Sequence, residues 1–258
     1  MNTTIAIPPD GPYFAGHFPG RPILPGVALL ALIVAALASA GNRPATVRAI
    51  PFCRLRQLVA PGEVLELAAR DTETKGTRVD VKRAGAVVAN GELVLGPPEE
   101  LPGALRLVPG SRPPDPMPPI DALLPHRPPM RFVTAIVDET PDGLTCMARV
   151  PSACALVADG AAPALAAIEC AAQTAALWEA TRRWRAGGAA AARIGYLVAL
   201  REVAFFAERV PAEQSLAASV RLQTAAPPLT HYAIEVALGA DPILRGTIAT
   251  FLTDQRAS

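Results

Sequence analysis

The chain has 258 residues, of which 51% are hydrophobic and 18% charged, with a formal net charge of +1. That composition buries one large core or two of ordinary size and excludes a disordered chain. The near-zero charge gives no field for gathering nucleic acid or an anionic membrane. Cys53, Cys146, Cys154 and Cys170 lack any CxxC or metal-type spacing, so free thiols in a reducing compartment are expected.

Met1–Ile5 has neither a basic region nor a continuous apolar stretch, so no secretory leader is expected and a cytoplasmic location is. A loop follows that reads Gly16-His17-Phe18-Pro19-Gly20-Arg21-Pro22-Ile23-Leu24-Pro25-Gly26. From Gly26 to Ala40 the chain is apolar but for Ser39 and is closed by Gly41-Asn42-Arg43-Pro44. A membrane span needs about 20 apolar residues, so this shorter run predicts a helix buried inside the protein, Val27–Ala40. Strand-like segments come next at Ala49–Val59, Val64–Asp71, Thr77–Arg83 and Ala86–Leu95. Residues 97–119 are dense in proline, which precludes a regular helix and favours a stiff, extended connector.

Beyond the connector the order of events recurs. A proline precedes a second Ala/Leu-rich helix, Ala164–Arg185, which ends in basic residues before Gly187-Gly188. Strand-like segments follow at Ile194–Phe206, Ser215–Thr224, Thr230–Leu238 and Pro242–Leu252. The turns correspond as well: Pro61-Gly62-Glu63 with Pro211-Ala212-Glu213, and Ala84-Gly85 with Gly239-Ala240. A repeat this long is a duplicated domain, giving units 1–96 and 120–258. One buried helix followed by antiparallel strands predicts an α+β unit, its sheet curled around the helix.

The two copies are complementary. Pro25–Ala31 pairs with Pro163–Glu169, which sets Glu169 opposite Ala31 and Ala164 opposite Gly26. Counting back eight residues from each proline sets His17 opposite Ala155. One copy keeps a histidine, the other a carboxylate. A fused pseudo-dimer with one surviving composite site is expected to look like this.

The segment His17–Gly20 with Pro22 and Leu24–Val27 closely resembles the active-site segment of type II 3-hydroxyacyl-ACP dehydratases of the hot-dog fold. Leu123-Leu124-Pro125-His126-Arg127-Pro128-Pro129-Met130 is similar to the opening segment of the same family, and Glu169 with Gln173 to its acidic helix motif. The resemblance implies a double hot-dog in which His17 and Glu169 face each other, as in polyketide-synthase and aryl-polyene-pathway dehydratases. It also implies that the Ile23 carbonyl orients His17, that His126 helps shape the entrance, and that the substrate rides on an acyl carrier protein. The first unit lacks the family's opening segment, so Asn2–Ile7 are expected to supply little of a first strand.

Removing water from a 3-hydroxyacyl thioester needs a base for the α-proton and an acid for the hydroxyl. His17 suits the first task. Glu169, among Ala and Ile in sequence, is expected to be raised in pKa and serve as the acid, or to hold the departing water. The N–H of Gly26, at a helix start, would polarise the thioester carbonyl, and Gln173, one turn beyond Glu169, would support it. No metal or organic cofactor is required. Arg21, Arg182, Arg183 and Arg185 are candidate docking groups for an acidic carrier, and further homo-oligomers are compatible with the internal pairing. Two rivals stand beside this reading: a hot-dog thioesterase, which would use the carboxylate on water, and a non-catalytic carrier- or subunit-binding scaffold.

Overall fold

The apolar run after Pro25 forms α1 (Gly26–Gly41), with Val27, Leu30, Ile33 and Leu37 wholly inaccessible to solvent. This computed structural model describes residues 1–41, 43–100, 117–188 and 192–256. Around α1 run β1 (Asn2–Ala6), β2 (Val47–Leu55), β3 (Val64–Asp71), β4 (Thr77–Arg83) and β5 (Ala86–Leu95). Along β3 and β4 the residues alternate, with Leu65, Leu67, Val79 and Val81 turned inward, as a sheet with one covered face requires.

The second half holds a short α2 (Ile120–Leu123), β6 (Val133–Thr140), β7 (Gly143–Ala148), β8 (Ala161–Pro163) and the long α3 (Ala166–Arg185). Then come β9 (Arg193–Phe205), β10 (Arg209–Pro211), β11 (Leu216–Ala226), β12 (Leu229–Leu238) and β13 (Asp241–Arg256). Helix α3 stops where Gly187 takes a left-handed φ of 81°, and the Gly187 and Gly188 N–H groups donate back to Trp184 and Arg183.

Eleven strands form one antiparallel sheet in the order β1-β3-β4-β5-β2-β9-β13-β12-β11-β7-β6. The halves meet where β2 pairs with β9, Ala49 opposite Ala204 and Arg54 opposite Ala199. Reading outward from that seam, β2, β5, β4, β3 and β1 match β9, β13, β12, β11 and β7. The structure is thus a double hot-dog, two curled sheets sharing a seam and each embracing a helix, with one hydrophobic cluster running through both.

Three differences from the sequence reading matter. Strand β1 does form, pairing Asn2–Ala6 with Val64–Ala68, because five residues suffice when a neighbour supplies the ladder. Its counterpart β7 is flanked by an extra outer strand, β6, which has no equivalent among the described residues of the first half. Strand β2 ends at Leu55, not Val59: the N–H groups of Arg56 and Gln57 both turn to the Val88 carbonyl. The freed segment then receives the histidine loop, Leu24 N–H donating to the Val59 carbonyl at 2.8 Å. Of the proline-rich stretch 97–119, residues 101–116 lie outside the described ones.

Candidate active site

His17 sits in a loop closed by backbone bonds. Phe18 and Arg21 exchange N–H···O bonds across Pro19-Gly20, and Ile23 N–H donates to the His17 carbonyl at 3.1 Å. His17 is 8% exposed, and its Nδ1 lies 2.9 Å from the Ile23 carbonyl oxygen. Nδ1 therefore carries the proton when the ring is neutral, which leaves Nε2 with its lone pair. Two residues beyond Ile23, Pro25 ends the loop and Gly26 opens α1. As the first helical residue, Gly26 has an N–H with no partner within the helix. A Cβ at Gly26 would come within 2.7 Å of Leu55 Cδ1, so glycine keeps the cavity open at this point.

Glu169 comes from the first turn of α3, where the helix dipole favours a negative charge, and is 4% exposed. Gln173, one turn on, donates from Nε2 to Glu169 Oε1 (2.9 Å) and to the Met130 carbonyl (2.7 Å). Its Oε1 accepts from the N–H groups of Phe132 (2.8 Å) and Val133 (3.3 Å). Every polar atom of that buried amide is engaged, which fixes Glu169 against the start of β6.

The structure brings in a third group that the sequence reading had placed at the entrance. His126 is 5% exposed, and its Nε2 lies 3.3 Å from Glu169 Oε1. Its ring centroid is 5.3 Å from that of His17 and 4.9 Å from that of Phe18, the latter edge-on. The segment carrying it is strapped to the histidine loop, since Arg127 N–H donates to the Gly16 carbonyl at 3.0 Å. His17, His126 and Glu169 offer nitrogen and oxygen atoms all within 4.8 Å of one another; among the described residues they are the one such cluster of metal-ligating type. The signal in the sequence was the Leu123–Met130 motif, but adjacency to His17 rests on a contact between distant segments.

These neighbours set the protonation states. Burial, and then the charge of His126, lower the His17 imidazole to about 4, against opposing contributions from Glu169 and the Ile23 carbonyl. Burial pushes the Glu169 carboxyl up, yet the hydrogen bond and charge of His126, the charge of His17 and the Gln173 amide together hold it below its ordinary value. This corrects the expectation of a raised carboxyl: the spatial neighbours are polar although the sequence neighbours are apolar.

Acid should therefore weaken the fold. Unfolded, His17 binds its proton near pH 6.5 and folded only near pH 4, so between these values the unfolded state holds more protons. Stability is then lost as pH is lowered across that window, by up to about 3 kcal/mol from this group. Glu169, with its lowered pKa, loses its contribution in the same direction at lower pH. Calorimetric melts between pH 7 and 4 check the slope, and His17→Asn should flatten its upper part.

The counterparts of Glu169 and His17, Ala31 and Ala155, are half-buried residues whose side chains carry no titratable group. Glu169, Gly26 and His17 line one cavity of about 80 Å³, which extends along α3 past Ala176 to Arg183. Of the four arginines considered for docking, Arg21 is exposed beside the histidine loop, whereas Arg183 lines the cavity. Arg182 stacks over Trp178 at 4.6 Å, and Arg185 pairs with Glu139 at 2.8 Å.

The histidine of one half and the carboxylate of the other thus line a single cavity of a double hot-dog. The chain belongs to the ApeP-like dehydratase family: residues 118–258, more than half of it, match the ApeP dehydratase family, and residues 1–92 match the ApeI dehydratase family. Among individual relatives is the 3-hydroxyacyl-[acyl-carrier-protein] dehydratase FabZ of Roseiflexus sp. (strain RS-1), 41% identical over 91 residues. The FabZ of Geobacillus thermodenitrificans is 38% identical over 93 residues. These matches take up 32% of this chain and span 62% and 60% of the two relatives, about three-fifths of their length. The fold is shared with a trans-AT polyketide synthase dehydratase domain from Brevibacillus brevis, at 15% identity and a TM-score of 0.70, covering 98% of this chain and 94% of that one. It is shared too with the PpsC dehydratase domain of Mycobacterium tuberculosis, at 15% identity and a TM-score of 0.68, with coverages of 98% and 93%. At such identities the likeness shows the fold.

Proposed function

We propose that the protein dehydrates a 3-hydroxyacyl thioester carried on acyl carrier protein to the trans-2-enoyl thioester, in fatty-acid-like, polyketide or aryl-polyene-type biosynthesis. The observation that carries this reading is the convergence of His17, Glu169 and the Gly26 N–H on one cavity from two halves of the chain. His17 Nε2, unprotonated at neutral pH, takes the α-proton. The Gly26 N–H, at the positive end of α1, steadies the charge that develops on the thioester oxygen. Glu169 lies where the hydroxyl must leave, and Gln173 holds it there.

The same reading divides the chain into units 1–96 and 120–258 joined by the 97–119 connector, and places it in the cytoplasm. Among the described residues no helix is long and apolar enough to cross a membrane. Arg21, exposed beside the loop, is the strongest of the four carrier-docking candidates.

Mass spectrometry of a 3-hydroxyacyl carrier protein tests the proposal. Wild type should remove the mass of one water, and Glu169→Ala should slow that loss by about 100-fold. Release of a free thiol instead would identify a thioesterase. No change of mass with short or long acyl chains would leave a binding scaffold.

A further inference from the structure

The site as built has an unassigned proton. A hydroxyl is a poor leaving group unless it is protonated as it departs, and the neighbours of Glu169 favour its charged form. His126 lies 3.3 Å from that carboxylate, buried, and its other nitrogen, Nδ1, is shielded from solvent without a hydrogen-bond partner among the described residues. A buried polar atom left unpaired costs about 1–3 kcal/mol, so its presence calls for a reason. Mere support of Glu169 does not provide one, because Gln173 already bonds the same Oε1.

We propose that His126 and Glu169 share one proton and together form the acid of the reaction, His126 supplying the proton that Glu169 delivers to the departing hydroxyl. The inference rests on the dehydratase reading above. Its proton count closes. The α-C–H bond breaks, its proton goes to His17 Nε2, and its electron pair becomes the new double bond. The β-C–O bond breaks with its pair staying on oxygen, which takes the shared proton and leaves as water. The pair is then a neutral imidazole beside a carboxylate, and His17 is the imidazolium. Return of that proton from His17 to His126, whose ring centroids are 5.3 Å apart, restores the starting state. No oxidant or further reactant enters. His126 acts through Glu169 and is thus a positioning and proton-supplying residue.

The test changes the leaving group. A 3-fluoroacyl thioester of the same chain length loses fluoride without needing a proton, yet still needs the base at His17. His126→Gln, which keeps an N–H for Glu169 and cannot store a proton, should cut turnover of the 3-hydroxyacyl substrate by about 100-fold. Its rate on the 3-fluoroacyl substrate should change by no more than about threefold, which also reports that the variant is folded. Should His126→Gln be unstable, His126→Asn read by the same ratio replaces it. Equal losses on both substrates would make His126 structural and overturn the proposal, as would undiminished activity on the 3-hydroxyacyl substrate. Wild type inert on both substrates would instead refute the dehydratase reading itself.

Discussion

Replacing His17 by alanine should lower kcat/KM for dehydration by about 1,000-fold, within the range that a positioned general base contributes. The loss is expected at the proton-removal step, so exchange of the α-proton with deuterated solvent should fail together with dehydration. The wild-type pH profile sharpens this. An ordinary histidine titrates near 6.5, and a site relying on one loses half its base there. Burial and the neighbouring His126 bring His17 to about 4. Activity that depends on the neutral ring is lost as pH falls through that value, so kcat/KM should hold from pH 7 down to about 5 and decline only near 4. An acid limb near pH 6.5 would mean that another group removes the proton. The shift has a cost in basicity, since a weaker base has less driving force for a carbon acid. On the proposed reading, the Gly26 N–H would offset this by making the α-proton more acidic through the thioester oxygen.

What could be read without coordinates followed from local chemistry. The run 27–40 has no glycine or proline, so α1 was legible, and β3, β4 and β5 were delimited by Gly62, Gly76 and the Ala84-Gly85 turn. His17 and Glu169 emerged from setting the two copies side by side, because each copy lost what the other kept. Strands β6 and β7 were illegible: Val133–Thr140 mixes acidic and apolar residues without strict alternation, and its pairing comes from β7. The share of His126 in the site was hidden for a related reason. Its place is set by a backbone bond between Arg127 and Gly16, a long-range contact with no local pattern. The ionisation of Glu169 depends likewise on neighbours that arrive from other segments, chiefly His126 and His17, while its own helix contributes Gln173.

That backbone bond leads to the second large effect, at Gly16. The residue has a φ of 80°, and a Cβ built on it would lie 2.0 Å from the Arg127 carbonyl oxygen and 2.8 Å from the carbon of the same group. Neither atom is the end of a flexible side chain that can swing aside. Gly16→Val adds a β-branched residue in the left-handed region, a cost of about 2 kcal/mol, and overpacking against backbone of similar size. The fold should lose about 4 kcal/mol in all, visible as a shift of the denaturation midpoint at unchanged slope. Activity should fall further than stability alone requires. To relieve the overlap, the Arg127 segment must draw away from the histidine loop by more than an ångström, and displacement on that scale costs about 100-fold in rate. The two rings and the carboxylate would then part company although none of them had been altered. Gly16→Val assayed well below its own melting temperature separates the two effects. Loss of turnover with an intact fold shows that the strap between the halves sets the site, whereas full activity in the folded fraction would mean that His17 and Glu169 are held by their own segments alone.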